Sequence, residues 1–277
     1  MVNTCCAGRG HQPHRAHWRD QAAAVQPAGL RKLAVNIADI AGGRLAINVV
    51  SGWFLPELEA LGLDAADHDD RYAYTRDWLD TVLDLWAGKR VDIAGHGGQP
   101  ALVRPTPDAL PSVYVGGESE PARALAAQHA DVFFINGRPL PDTVDVIEDL
   151  RARPRDREPL RFGLSAFVIA RETEAEAIAE LNHLQSLVDA ERRPEISSGT
   201  DPKTQMYKVL AGTSRVGSNG GTLAGLVGSY QQVIERIEQF HAAGVELFML
   251  QFQPLDAELD RFADKIIPNF AEGRRFQ

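Results

Sequence analysis

Five short apolar runs, at residues 45–50, 113–116, 132–135, 161–169 and 247–252, divide this chain, and each is followed by apolar residues at helical spacing. That alternation is the strongest constraint on the fold. Strands that read as near-continuous Val, Ile, Leu and Phe are buried on both faces, as inside a parallel sheet. Repeated strand–helix units connect parallel neighbours through right-handed crossovers. The spacing therefore predicts an α/β fold, either an open doubly wound sheet or part of a (β/α)8 barrel. No Gly-rich dinucleotide turn follows the first run, which weighs against the doubly wound form.

The helical stripes are explicit. Leu30, Leu33, Ile37 and Ile40 mark one face, closed by Gly42-Gly43. Tyr72, Thr75, Trp78, Leu79, Val82 and Trp86 mark a second. Pro121 stands at a favourable first helical position. Thr173 and Glu176 form a capping-box pair ahead of Ala177, Leu181, Leu184 and Val188. Ser229 is placed to cap the helix carrying Val233, Ile234, Ile237 and Phe240. Residues 1–28, rich in Arg, His and Gln with little apolar periodicity, read as a poorly ordered leader, and 29–277 as a single domain. His11, His14 and His17 in that leader lack a scaffold that would fix them on a metal, so no metal site is expected.

Composition narrows the partners. A net charge of −9 argues against nucleic acid, whose phosphates need a basic surface. No apolar run approaches a membrane span, and the N-terminus lacks the apolar segment of a signal peptide. The two cysteines, Cys5 and Cys6, are adjacent and supply neither a disulfide framework nor zinc spacing. A cytoplasmic protein is expected.

The block from Gly42 to Tyr72 concentrates the candidate chemistry. Asn48 is a polar residue inside an apolar strand, which implies a hydrogen-bonding partner at the strand's end. Ser119 follows a Gly-Gly turn at the entrance to a helix, where backbone N–H groups and the helix dipole favour an anion. Glu57 and Arg71 read either as ligand groups or as a solvated ion pair. Tyr72 reads either as a ligand group or as the start of its helical stripe.

Four motifs carry a family resemblance: GGRLAINVVSGW with Glu57 and HDDRY downstream, VYVGGESEPARALAAQHADVFFING, RFGLSAFVIARETEAEA, and LVGSYQQVIERIEQFHAAGVELFMLQF. Their order and spacing resemble the luciferase-like flavin-dependent monooxygenases, in the branch that oxidises alkanesulfonates and dimethyl sulfone. The resemblance implies a (β/α)8 TIM-type barrel, FMN used as FMNH2, O2 as co-substrate, and oxidation of a small organosulfur substrate through a flavin peroxide. It implies a separate NAD(P)H-dependent FMN reductase and FMN-binding roles for Asn48, Glu57, Arg71, Tyr72 and Ser119. Trp53, which lines the pocket or merely packs, and Arg215, which reads as a solvated surface arginine or as the arginine of a loop that closes over the site in sulfonate enzymes, are the catalytic candidates.

Two departures qualify these expectations. Family barrels carry about three strands ahead of the one matching 45–50, so an incomplete barrel of about five parallel strands is expected, its open edges covered by a homo-oligomer or by the leader itself. Ser165 and Phe167 replace an Arg and a His of the sulfonate branch, which favours a neutral substrate. The competing readings are a catalytically inactive or truncated flavin-binding paralogue and, less favoured, a deazaflavin-dependent reductase.

Overall fold

Four of the apolar runs become one strand each, the run at 161–169 divides into two, and one further strand precedes them. The computed structural model describes residues 16–21, 26–42, 44–52, 54–60, 67–92, 100–104, 110–190 and 216–271. The chain divides into two compact units, Met1–Val132 with Pro154–Glu158, and Phe133–Arg153 with Pro159–Gln277.

In the first unit β1 (Ala16–Gln21), β2 (Leu45–Val50) and β3 (Ser112–Gly116) run parallel in that order. Trp18 lies opposite Ile47, and Asn48 opposite Tyr114. β1 falls inside the stretch expected to be a poorly ordered leader, and Pro27 already opens α1 (Pro27–Ile40). The sequence of β1, AHWRDQ, has neither alternation nor an apolar run. Its strand character comes from pairing with β2, whose backbone groups need partners on that side.

α1 packs on α3 (His68–Trp86) through a face rotated from the expected one. Leu30, Ala34, Val35 and Ala38 are buried together with Arg31, while Leu33 is 43% and Ile40 87% exposed. Small side chains at Ala34 and Ala38 leave less volume between the helices than the larger stripe would need. Along α3 the expected stripe holds: Thr75, Trp78, Leu79, Val82 and Trp86 are buried, joined by Leu85.

α4 (Glu120–His129) returns the chain toward β3. Arg155 donates to its last carbonyls, from Nη1 to Ala127 at 2.8 Å and from Nη2 to Ala130 at 2.6 Å. These are acceptors that a helix end otherwise leaves unmet. Asp131 exchanges two bonds with Val113, each 2.7 Å, fastening the helix exit to the start of β3. That clasp sets the height of the β3–α4 turn.

His129, in the last turn of α4, has its Nδ1 3.5 Å from Asp80. Burial lowers its pKa, which Asp80 opposes and Arg157 and Arg76 reinforce. As pH falls through about 6.5 the unfolded chain takes up the proton first. Stability is therefore full above that pH and declines below it. The urea midpoint is expected to drop between pH 7.5 and 5.5, and His129→Gln to flatten the drop. An equally steep drop in the variant would remove His129 as its source.

In the second unit β5 (Arg161–Phe167) neighbours β4 (Val132–Ile135) and pairs in parallel with β8 (Val245–Gln251). A short parallel pair, β6 (Ile169–Arg171) with β7 (Val227–Ser229), stands beside it. The helices of this unit are α5 (Leu140–Ala152), α6 (Glu174–Ala190), α7 (Tyr230–Ala243), α8 (Leu255–Lys265) and α9 (Pro268–Ala271). Both expected caps form: Thr173 with Glu176 ahead of α6, and Ser229 with Gln232 at the start of α7. Phe167, Ile169, Ala177, Leu184 and Val216 make a local core. Gly220, at φ +93°, packs backbone to backbone on Gly137, where any side chain would collide.

Candidate active site

Among the described residues, three buried oxygens in and just past β2 and β3 have no hydrogen-bond partner of good geometry. The first belongs to Asn48. Its Oδ1 is buried without a partner and lies 3.8 Å from where a β-carbon on Gly116 would stand. The second is Ser51 Oγ, just past β2, on a residue only 7% exposed. The third is Ser119 Oγ. Ser119 holds the N-cap position of α4 but makes no side-chain capping bond, and its hydroxyl too is buried and unpartnered. A native fold rarely leaves such atoms unmet, because each costs desolvation without return.

Tyr72, in the first turns of α3, links the two serines. Its Oη is 2.6 Å from the β-carbon position of Gly117, a residue at φ +111°. Only glycine serves both the backbone turn and the close approach. Burial raises the Tyr72 pKa, while Ser119, Ser51 and Arg71 pull the other way without cancelling it. The phenol is therefore a neutral O–H donor through the physiological range. Both serines stand near enough to act on the phenol, yet neither hydroxyl completes a bond of good geometry.

α3 is anchored so that Tyr72 is held in place. The Asp67 side chain accepts from Asp69 N–H at the helix start, and Arg71 N–H donates to Asp67 C=O at 3.0 Å. The His68 ring packs on the Tyr72 ring at 5.0 Å, tilted by 49°. The His68 Nδ1 lies 3.0 Å from Asp69 Oδ1. Arg71 is itself buried, and its carbonyl accepts from Thr75 Oγ1 at 2.7 Å.

The residues expected from sequence sort clearly. Tyr72 and Ser119 come together, Asn48 joins them along the Gly116-Gly117 turn, and Arg71 adds its charge beside Tyr72. Glu57 is exposed in the first turn of α2 (Leu55–Ala60). Trp53 and Arg215 lie outside the described residues. Ser51, Gly117, His68 and the buried Glu118 were passed over, although each sits inside a motif quoted above. Their signal was position: the first residues past an apolar strand, and the run of polar residues opening a helix.

In the second unit, Ser165 and Phe167 are buried, 1% and 6% exposed. The Ser165 hydroxyl accepts from Gln251 Nε2 at 3.0 Å. Gln251 also grips Ser218, accepting from its N–H at 2.8 Å and donating to its carbonyl at 2.9 Å. Among the described residues no group of His, Cys, Asp and Glu is arranged to hold a metal.

Parallel strands alternating with helices, with ligand-ready groups past the strand C-termini, define an α/β enzyme of the TIM-barrel type. The sequence pattern of the luciferase-like monooxygenases matches residues 14–247, and the chain belongs to that family, which makes it an oxidoreductase. It is 29% identical over 253 residues to an FMNH2-dependent dimethylsulfone monooxygenase of Pseudomonas fluorescens, covering 88% of this chain and 70% of that one. A Pseudomonas putida protein of the same name is 29% identical over 258 residues, covering 87% and 70%. Among solved structures, DmoA from Hyphomicrobium sulfonivorans superposes with a TM-score of 0.72 at 20% identity, over 94% of this chain and 68% of that one. The match from residue 14 takes in β1, in keeping with its place beside β2.

Proposed function

We propose that this chain binds FMN through Asn48, Ser51, Tyr72 and Ser119 and acts as an FMNH2-dependent monooxygenase on a small, neutral organosulfur substrate of the sulfone type. The observation that carries the reading is the pair of buried hydroxyls, Ser51 and Ser119, at one neutral phenol, with the buried Oδ1 of Asn48 beside the adjoining Gly116. A ligand with a polyol and a phosphate has the complementary donors and acceptors. The N-terminus of α4 and the Arg71 charge favour the phosphate. Asn48 offers a carbonyl and an amide to the edge of the ring system. Glu57, exposed on α2, contributes by a movement of that short helix or not at all.

When bound, reduced FMN supplies the activation of O2, chemistry that no side chain provides. The protein's own work is to fix the flavin and to keep the site dry. Tyr72 holds its proton throughout and serves as a donor. Ser165 and Phe167 place no charge where the sulfonate-oxidising branch carries Arg and His, which supports a neutral substrate. The names of the Pseudomonas relatives support the same substrate class. An NAD(P)H-dependent FMN reductase would deliver the reduced flavin, and a cytoplasmic homo-oligomer is the working assembly.

Titration of the purified chain with FMN, followed by flavin fluorescence, tests the binding half. Saturation well below millimolar flavin is expected, and a linear response would refute it. Oxygen uptake with supplied FMNH2, with and without dimethyl sulfone, tests the chemistry. Tight binding without substrate-dependent turnover would leave the inactive flavin-binding paralogue as the correct account.

A further inference from the structure

Gln251, the last residue of β8, commits its whole carboxamide to two serines. Its Oε1 accepts from the Ser218 N–H at 2.8 Å and from the Ser218 hydroxyl at 3.1 Å. Its Nε2 donates to the Ser218 carbonyl at 2.9 Å and to the Ser165 hydroxyl at 3.0 Å. One side chain thereby meets both backbone groups of Ser218, as a neighbouring strand would. That pairing needs a donor and an acceptor side by side. Methionine offers neither, and an ionised carboxylate offers only the acceptor.

The segment so held runs through left-handed backbone. Gly217, Asn219, Gly220 and Gly221 have φ of +84°, +51°, +93° and +51°. Asn219 is the one non-glycine residue at positive φ among the described residues. Such a conformation persists where the surroundings fix it, and it concentrates at functional sites. Three contacts fix it here. A β-carbon on Gly217 would stand 2.7 Å from the Phe167 ring. Gly220 packs on Gly137, whose N–H donates to the Asn219 carbonyl at 2.8 Å. Gln251 holds Ser218, between them. Gly137 follows β4, Phe167 ends β5 and Gln251 ends β8. Residues 217–221 therefore lie across the C-terminal ends of these strands, where barrels of this type place their sites.

Ser165, Phe167, Met249 and Gln251 share one face of the β5–β8 pair, with Met249 opposite Ser165 and Gln251 opposite Phe167. Met249 is 37% exposed, so this face is uncovered one step before the carboxamide. We propose that Gln251 is the positioning residue for the substrate side of the site. Its carboxamide fixes residues 217–221 at this face, and the fixed segment bounds the place where the small neutral substrate binds. The proposal rests on the monooxygenase reading above. Gln251 touches no reacting atom in it and acts through Ser218 and Ser165. The flavin groups lie in the first unit and are not part of the clamp.

Two variants of the full chain test this. Gln251→Met removes all four bonds at similar length, and Gln251→Glu keeps the acceptor and loses the donors. Amide hydrogen exchange in the flavin-free protein reads the segment. In Gln251→Met the Ser218 and Gly137 amides are expected to exchange about tenfold faster or more, with the β5 amides unchanged. Oxidation of dimethyl sulfone with supplied FMNH2 reads the consequence. KM is expected to rise about 5- to 20-fold in Gln251→Met and less in Gln251→Glu, because only molecules with the segment in place bind substrate. The kcat should stay within about threefold and FMN affinity should not change. A merely structural role would lower the thermal midpoint without separating KM from kcat. The proposal is overturned by unchanged exchange, by an unchanged KM in a folded variant of an active parent, or by FMN affinity that falls as far as KM rises. If Gln251→Met fails to fold, Gln251→Glu decides by the same readings. A parent that binds FMN and oxidises no sulfone would bring down the monooxygenase reading itself, and the substrate role of Gln251 with it.

Discussion

Replacing Asn48 by Leu will weaken FMN binding by about 5- to 150-fold while leaving the fold as stable as the parent or more so. The first half follows from losing hydrogen bonds worth roughly 1–3 kcal/mol to a desolvated ligand edge. The second half follows from the buried, unpartnered Oδ1. In the flavin-free protein that atom costs desolvation and returns nothing, and an apolar group of similar shape removes the cost. Ser51→Ala is expected to behave the same way, since its hydroxyl is equally buried and unmet. Affinity comes from flavin fluorescence and stability from the urea midpoint. A residue that merely supported the fold would move both quantities downward together. A loss of stability in Asn48→Leu with affinity unchanged would therefore end its assignment to the ligand.

Gly117→Ala carries the second large effect, and here both quantities fall. At φ +111° a β-carbon is strained, and it would stand 2.6 Å from Tyr72 Oη and 3.2 Å from the Ala122 β-carbon. A strained backbone residue costs about 1–3 kcal/mol, before the contact with the phenol is counted. The ring can move only by disturbing His68, against which it packs. Flavin affinity is expected to fall with stability, because the displaced phenol no longer faces Ser51 and Ser119. Tyr72→Phe separates the two consequences. In the Gly117→Ala, Tyr72→Phe double variant the oxygen is gone, so part of the stability returns while flavin binding stays weak. Simple additivity of the two substitutions in stability would show that Gly117 and Tyr72 are not coupled.

Legibility followed the scale of the physical signal. The apolar runs at 45–50, 113–116, 132–135 and 247–252 each form one strand, and that at 161–169 forms β5 and β6, because such runs have few other stable destinations. The caps at Thr173 and Ser229 were readable because capping is local chemistry over four residues. β1 was not readable: AHWRDQ owes its conformation to a neighbour distant in sequence. The face of α1 was misread for a related reason. Its stripe of Leu30, Leu33, Ile37 and Ile40 obeys helical spacing, but α3 selects Leu30, Ala34, Val35 and Ala38, which allow a closer approach, and buries Arg31 with them.

The candidate site divides along the same line. Asn48, Tyr72 and Ser119 were visible because a polar residue in an apolar strand, or a Gly-Gly-x-Ser entry to a helix, is anomalous within its own segment. Ser51 and Gly117 are unremarkable locally and matter only where two chain segments meet at Tyr72 Oη. The sequence alone therefore determined the class of fold, the family and the segments that carry the chemistry, since these rest on periodicity and short-range order. The tertiary structure alone decided which hydroxyls are left without partners, which helix face is buried and where a buried guanidinium lies. Those depend on distances between residues far apart in the chain, and no spacing along the chain encodes them.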